Sequence, residues 1–146
     1  MKALIEKTVK GGTVKALPSK SMAHRLLIAA ALSGAKIEIE KTSDDIEATK
    51  QCLDVLLSDE PNKSLFCKES GSTFRFLLPL AGVLGIECDF YPEKSLVSRP
   101  IWPLYDELVS HGCEISNIGN LPIHVKGKLK GGEYQEVFHR STLRLY

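Results

Sequence analysis

The sequence has no long hydrophobic run. Its longest uninterrupted aliphatic stretch, Leu26 to Leu32, is far too short to span a bilayer. The opening segment Met1-Lys2-Ala3-Leu4-Ile5-Glu6-Lys7 carries charge within its apolar run and does not read as a secretory signal. There is no charge excess either: 19 basic and 18 acidic side chains leave a net +1. A nucleic-acid binder shows a basic surplus, so that class is set aside. Any anion site must be local, made by a few converging basic groups. The cysteines, at 52, 67, 88 and 113, form no C-x-x-C pair, which removes the common zinc and redox motifs. Each lies in an apolar stretch and reads as a small buried hydrophobe of a reducing, cytoplasmic compartment. No GK[ST] follows Gly11-Gly12, so that pair is a turn and not a phosphate loop. Asp44-Asp45 lacks a third ligand at useful spacing and reads as a helix cap, not a metal site.

What is present is a globular composition, 43% hydrophobic and 25% charged over 146 residues, enough for one domain with a core. Residues 2–9 and 13–17 read as a strand pair around Gly11-Gly12. From Ser21 the pattern predicts a helix. Ser19 or Ser21 caps it, Leu26, Leu27, Ala30 and Ala31 give it an apolar face, and Gly34 stops it. Residues 35–40 alternate as a half-buried strand. A helix follows with Ile46, Thr49, Cys52, Leu53 and Leu56 on one stripe, then a short strand from Leu65 to Cys67.

The pattern then recurs. Gly71-Ser72-Thr73 opens a helix through Phe74, Leu77, Leu78 and Leu84, and Gly85 stops it. A strand from Ile86 to Tyr91 and a loop from Pro92 to Pro100 lead into a helix from Ile101 to His111, with Pro100 or Pro103 in its first turn. Strands are predicted at 113–116 and 123–126. Arg25 and Arg75 are 50 positions apart, and Gly34 and Gly85 are 51 apart. Such a period implies duplicated units stacked on a common core.

A helix start offers unpaired N–H groups and a partial positive charge to an anion. Ser19, Lys20 and Ser21 stand at one, and Arg25 lies four residues on, on the face of Ser21. A point charge, hydroxyl donors and a planar guanidinium suit a phosphorylated small molecule. The same residues also read as a capped helix with two solvated basic side chains, and spacing does not separate the two readings. At the second start Gly71 permits close approach of a ligand, with Ser72 and Thr73 able to cap or donate. Arg75 there reads as pairing with Glu69 or another carboxylate. Arg99, between Ser98 and Pro100, stands before a further helix, where an exposed loop arginine is the plainer reading. His24 reads as facing solvent or the next unit.

Pro18-Ser19-Lys20-Ser21-Met22-Ala23-His24-Arg25, Ser43-Asp44-Asp45, Glu69-Ser70-Gly71-Ser72-Thr73-Phe74-Arg75 and Ser95-Leu96 with Arg99-Pro100 together resemble, in order, the signatures of the EPSP synthase family. The resemblance runs from residue 3 to residue 134. It implies an α+β fold of repeated βαβαββ units, helices packed inside and sheets outside, with only the N-terminal lobe represented. The corresponding divisions are 1–17 for the bridging strand pair, 18–68 and 69–134 for two repeat units, and 135–146 for an atypical tail where a third unit would start.

The resemblance also implies transfer of the enolpyruvyl group of phosphoenolpyruvate to the 5-hydroxyl of shikimate 3-phosphate, with no cofactor. By position Lys20 meets both substrates and is the catalytic candidate, Ser21 and Arg25 hold shikimate 3-phosphate, and Gly71 and Arg99 hold phosphoenolpyruvate. In the family a second domain adds further arginines and the acid/base carboxylate and lysine. Those are absent here, and Ser141-Thr142 lacks the glutamine of the family's Ser-Ser-Gln segment. The expectation is an inactive fragment with an aberrant tail that self-associates through an uncovered repeat flank. Two alternatives stand beside it. One is a non-catalytic phosphate-binding or scaffolding module. The other is the UDP-N-acetylglucosamine enolpyruvyl transferase, whose Lys-Asn pair replaces the Ser-Lys-Ser-x-x-x-Arg pattern.

Overall fold

The computed structural model describes residues 19–39, 41–116 and 120–132. The expected strands at 2–9 and 13–17 and the tail at 135–146 lie outside the described residues.

Among the described residues four helices and four strands follow in the order α1 (Lys20–Ser33), α2 (Asp44–Leu56), β1 (Ser64–Lys68), α3 (Gly71–Leu84), β2 (Cys88–Pro92), α4 (Trp102–Ser110), β3 (Glu114–Ile115) and β4 (Ile123–Lys126). A 3-10 turn, Lys94–Leu96, joins β2 to the segment before α4. From β1 to β4 the elements run βαβαββ. The strands form one mixed sheet in the order β1-β2-β4-β3, with β1 parallel to β2 and the other neighbours antiparallel.

Local chemistry sets the helix limits. Ser19 caps α1, its Oγ accepting from the Met22 N–H at 3.4 Å, and Gly34 ends the helix at φ 71°, where a side chain would be strained. Ser43 caps α2 in the same way. At α3 the cap is Ser70, one residue before the expected Gly71-Ser72-Thr73, and it accepts from the Thr73 N–H at 3.2 Å. Gly85 closes α3 at φ 70°. At α4 it is Pro103, not Pro100, that lies inside the first turn.

Period two decides the sheet faces. Leu65, Cys67, Cys88, Phe90, Ile123 and Val125 point inward and are buried, and α2 and α3 supply the other side of that core. Phe74 of α3 meets Phe90 of β2 edge to face, with ring centroids 5.5 Å apart. On the outer face Phe66 and Tyr91 stack at 4.8 Å, and His124 sits 2.8 Å from Asp89.

Two expectations are corrected. Residues 35–39 do show the predicted alternation, with Ile37 and Ile39 partly covered, but they form no strand, because no ladder partner stands beside them among the described residues. The buried stripe of α1 is Ala23, His24, Leu27 and Ala30; Leu26 and Ala31 face solvent. The stripe Ala23-Leu27-Ala30 is the one that packs inward, and His24 lies buried beside it where a solvent-facing side chain was expected.

The remaining elements agree with the sequence pattern. Ile46, Thr49, Cys52, Leu53 and Leu56 all lie on the buried face of α2. All four cysteines are buried and unpaired. Cys67, hydrogen-bonded to Cys52 and buried, is held above the ordinary thiol range, and burial pushes Cys88 up to about 12. Among the described residues no helix is long and apolar enough to cross a membrane.

Candidate anion-binding site

Three helix starts converge. Those of α1 and α3 carry no acidic residue in the first turn, whereas α2 carries Asp44, Asp45 and Glu47 there. The positive end of the α2 dipole is therefore offset by its own carboxylates, and those of α1 and α3 are left for something else.

At the α1 start the Arg25 guanidinium donates from Nη1 to Ser21 Oγ at 2.7 Å. The same guanidinium lies 5.6 Å from the ring centroid of Phe76 on α3, so it leans from one helix start toward the other. Its partners are a neutral hydroxyl and a ring face, which leaves its charge uncompensated by them. Lys20 Nζ lies 3.6 Å from the Asp45 carboxylate, with 63% of the Lys20 side chain exposed. An exposed pair of this kind contributes little to stability and opens easily.

At the α3 start Gly71 and Arg99 meet. A Cβ added to Gly71 would stand 3.4 Å from Arg99 Nη1. Two residues picked from separate motifs are thus adjacent. Arg99 is exposed, as a loop arginine was expected to be. Arg75 departs from its expectation: its Nη2 donates to the Pro100 carbonyl at 3.2 Å, and Glu69 pairs with Lys94 at 2.7 Å. The carbonyl bond ties α3 to the segment that carries Arg99, a structural task that needs no carboxylate. Lys68, the neighbour of Glu69, and Lys94 of that ion pair both adopt positive φ, 52° and 46°. They turn the chain sharply where it enters the Ser70 cap and where it leaves β2.

His24 corrects the sequence reading most clearly. It is 1% exposed, and its Nδ1 lies 2.7 Å from Thr49 Oγ1. Burial lowers its pKa from 6.5, opposed by nearby Asp45 and assisted by Lys20. Thr49 Oγ1 in turn lies 2.7 Å from Thr73 Oγ1, which bonds Ser70 Oγ at 2.7 Å. Both threonine hydroxyls also reach the Asp45 carbonyl, at 3.1 and 3.2 Å. Sequence reasoning passed over this set. The signal was there: three polar residues on apolar helical stripes, each of which must find a partner once buried.

Among the described residues no cluster of His, Cys, Asp and Glu could hold a metal ion.

The family described as EPSP synthase (3-phosphoshikimate 1-carboxyvinyltransferase) matches residues 57–142. The 3-phosphoshikimate 1-carboxyvinyltransferase of Clostridium kluyveri is 40% identical over 90% of this chain and 35% of its own length. That of Dehalococcoides mccartyi is 33% identical over 91% of this chain and 35% of its own length. The chain therefore spans about a third of the length of the relatives it matches. EPSP synthase from Acinetobacter baumannii, solved at 2.37 Å, superposes with a TM-score of 0.59 at 21% identity, covering 80% of this chain and 32% of that one, which is a likeness of fold.

Proposed function

The chain belongs to the EPSP synthase family, and from that premise we propose that its α1 and α3 starts form one side of a two-substrate site for enolpyruvyl transfer from phosphoenolpyruvate to shikimate 3-phosphate. The adjacency of Gly71 and Arg99 carries this reading, because it sets a guanidinium at a helix start whose first turn holds no acidic residue. In this reading Ser21 and Arg25 hold the phosphate of shikimate 3-phosphate, Gly71 and Arg99 hold phosphoenolpyruvate, and Lys20 stands between the two anions. The reaction joins two anionic molecules through a cationic, oxocarbenium-like centre. Fixed positive groups offset the repulsion of the partners and hold their geometry.

The second-domain carboxylate and lysine that the family resemblance assigns to proton transfer are not among these 146 residues. The chain alone is accordingly expected to bind and not to turn over. Calorimetry with shikimate 3-phosphate tests this. Weak binding that disappears in both Lys20→Ala and Arg25→Ala supports the reading, and an absence of heat with any phosphorylated ligand would favour a scaffolding module instead.

One surface observation favours self-association. Met22 and Leu26, one turn apart on α1 beside the site, are 54% and 46% exposed, and Leu32 near the far end of the helix is 50% exposed. Sedimentation that shows a monomer at high concentration would remove that part.

A further inference from the structure

The buried hydrogen-bond chain His24–Thr49–Thr73–Ser70 links three helices and ends at the two helix starts. His24 sits one turn into α1, four residues after Lys20 on the same face, with its ring turned inward to Thr49. Ser70 is the cap of α3 and the residue before Gly71. All four residues are within 1% of full burial. We infer that His24, Thr49 and Thr73 are positioning residues that fix the α1 start against the α3 start, and so set the spacing between the two halves of the anion site; this rests on the functional reading above.

Three features of the geometry point this way. The first is that the chain is fully satisfied: among the described residues no buried side-chain nitrogen or oxygen lacks a partner. Each hydroxyl donates once and accepts from its neighbours, so shifting one helix breaks a bond that buried surroundings cannot replace. The second is that Asp45 joins the chain to the ligand side. Its carbonyl lies within reach of both threonine hydroxyls, at 3.1 and 3.2 Å, and accepts from one of them while the other keeps the Thr49–Thr73 bond; its carboxylate faces Lys20. A displacement at Thr73 is thereby passed to Lys20 through one residue. The third is that plain packing does not need these groups. Valine fills the volume of threonine without the polar atom, yet the three meeting points of α1, α2 and α3 are polar.

Two readouts test the inference, with Thr49→Val, Thr49→Ser and the parent chain. Native-state amide exchange needs no ligand. In Thr49→Val the amides of Met22 and Thr73, which report the two caps, should lose protection by roughly tenfold more than those of Phe90 and Val125 in the sheet. Thr49→Ser, which keeps the hydroxyl, should restore them. An equal loss at caps and sheet, no loss, or a Thr49→Ser variant that behaves like Thr49→Val overturns the inference. If Thr49→Val cannot be purified, Thr49→Cys replaces it, since a thiol is a weak donor and acceptor.

The second readout is the gain in shikimate 3-phosphate affinity when phosphoenolpyruvate is present. Thr49→Val should abolish the gain and leave the affinity for shikimate 3-phosphate alone nearly unchanged. A retained gain overturns the inference. A parent chain that binds neither ligand overturns the functional reading, and the exchange result then decides the positioning role by itself.

Discussion

Arg99 Nη1 stands 3.4 Å from the point where a Cβ on Gly71 would be. The neighbour is the far end of a flexible side chain, and Gly71 does not need a positive φ. Gly71→Ala should therefore fold normally. The added methyl stands in van der Waals contact with the guanidinium and fills the space where an anion would meet both the helix start and Arg99, and a lost charge-assisted hydrogen bond is worth about 1.5–3 kcal/mol. Phosphoenolpyruvate affinity should fall by tenfold or more with the melting temperature unchanged, as calorimetry and a thermal scan will show.

In the proposed site Asp45 competes with a ligand for Lys20. Both side chains are substantially exposed, so Asp45→Asn should change stability by less than about 1 kcal/mol. It frees Lys20 for an external anion. Affinity for shikimate 3-phosphate should rise, and a fall would show that the carboxylate helps to hold Lys20 in place for the ligand.

His24 predicts a pH dependence of stability. Its folded pKa lies below 6.5 because burial disfavours the imidazolium, with Asp45 raising and Lys20 lowering it. Above 6.5 both folded and unfolded chains hold it neutral, and its contribution is complete. Below 6.5 the unfolded chain takes up the proton and the folded chain resists, so stability is lost until the pH passes below the folded value. Urea midpoints measured from pH 7.5 downward should show a steeper loss in the parent than in His24→Gln. Identical slopes would mean that His24 is protonated as easily in the fold as outside it.

Phe90 anchors the sheet against α3. It is fully buried and meets Phe74 edge to face. Phe90→Ala should cost about 3–5 kcal/mol, enough to unfold much of a marginal domain. Chemical denaturation is the measurement.

How much of this was legible in the sequence follows from what each feature depends on. Caps and stops are local, so Gly34 and Gly85 could be read directly and Ser19 is one of the two caps the pattern offers for α1, while at α2 the cap is Ser43, one residue before the Asp44-Asp45 pair that reads as the cap. The strand at 123–126 shows its alternation within four residues. Residues 35–39 alternate equally well, yet a strand is a relation to a neighbour, and the pattern names no neighbour. The Gly71–Arg99 contact was reached through motif resemblance and not through spacing, since a separation of 28 positions leaves distance undetermined. His24 was misread for a related reason. Its place on the buried stripe of α1 depends on which face α2 and α3 cover, and Thr49 and Thr73, the groups that make burial tolerable, come 25 and 49 positions later.

The Lys20–Asp45 pair has a further consequence. An anion that reaches Lys20 does not fill an empty seat; it enters by exchange with a carboxylate that is tethered to the fold. A tethered group acts at an effective concentration on the order of millimolar. In the site proposed above, an incoming anion competes with this tethered carboxylate for Lys20, which favours a dianion with further contacts over chloride or acetate.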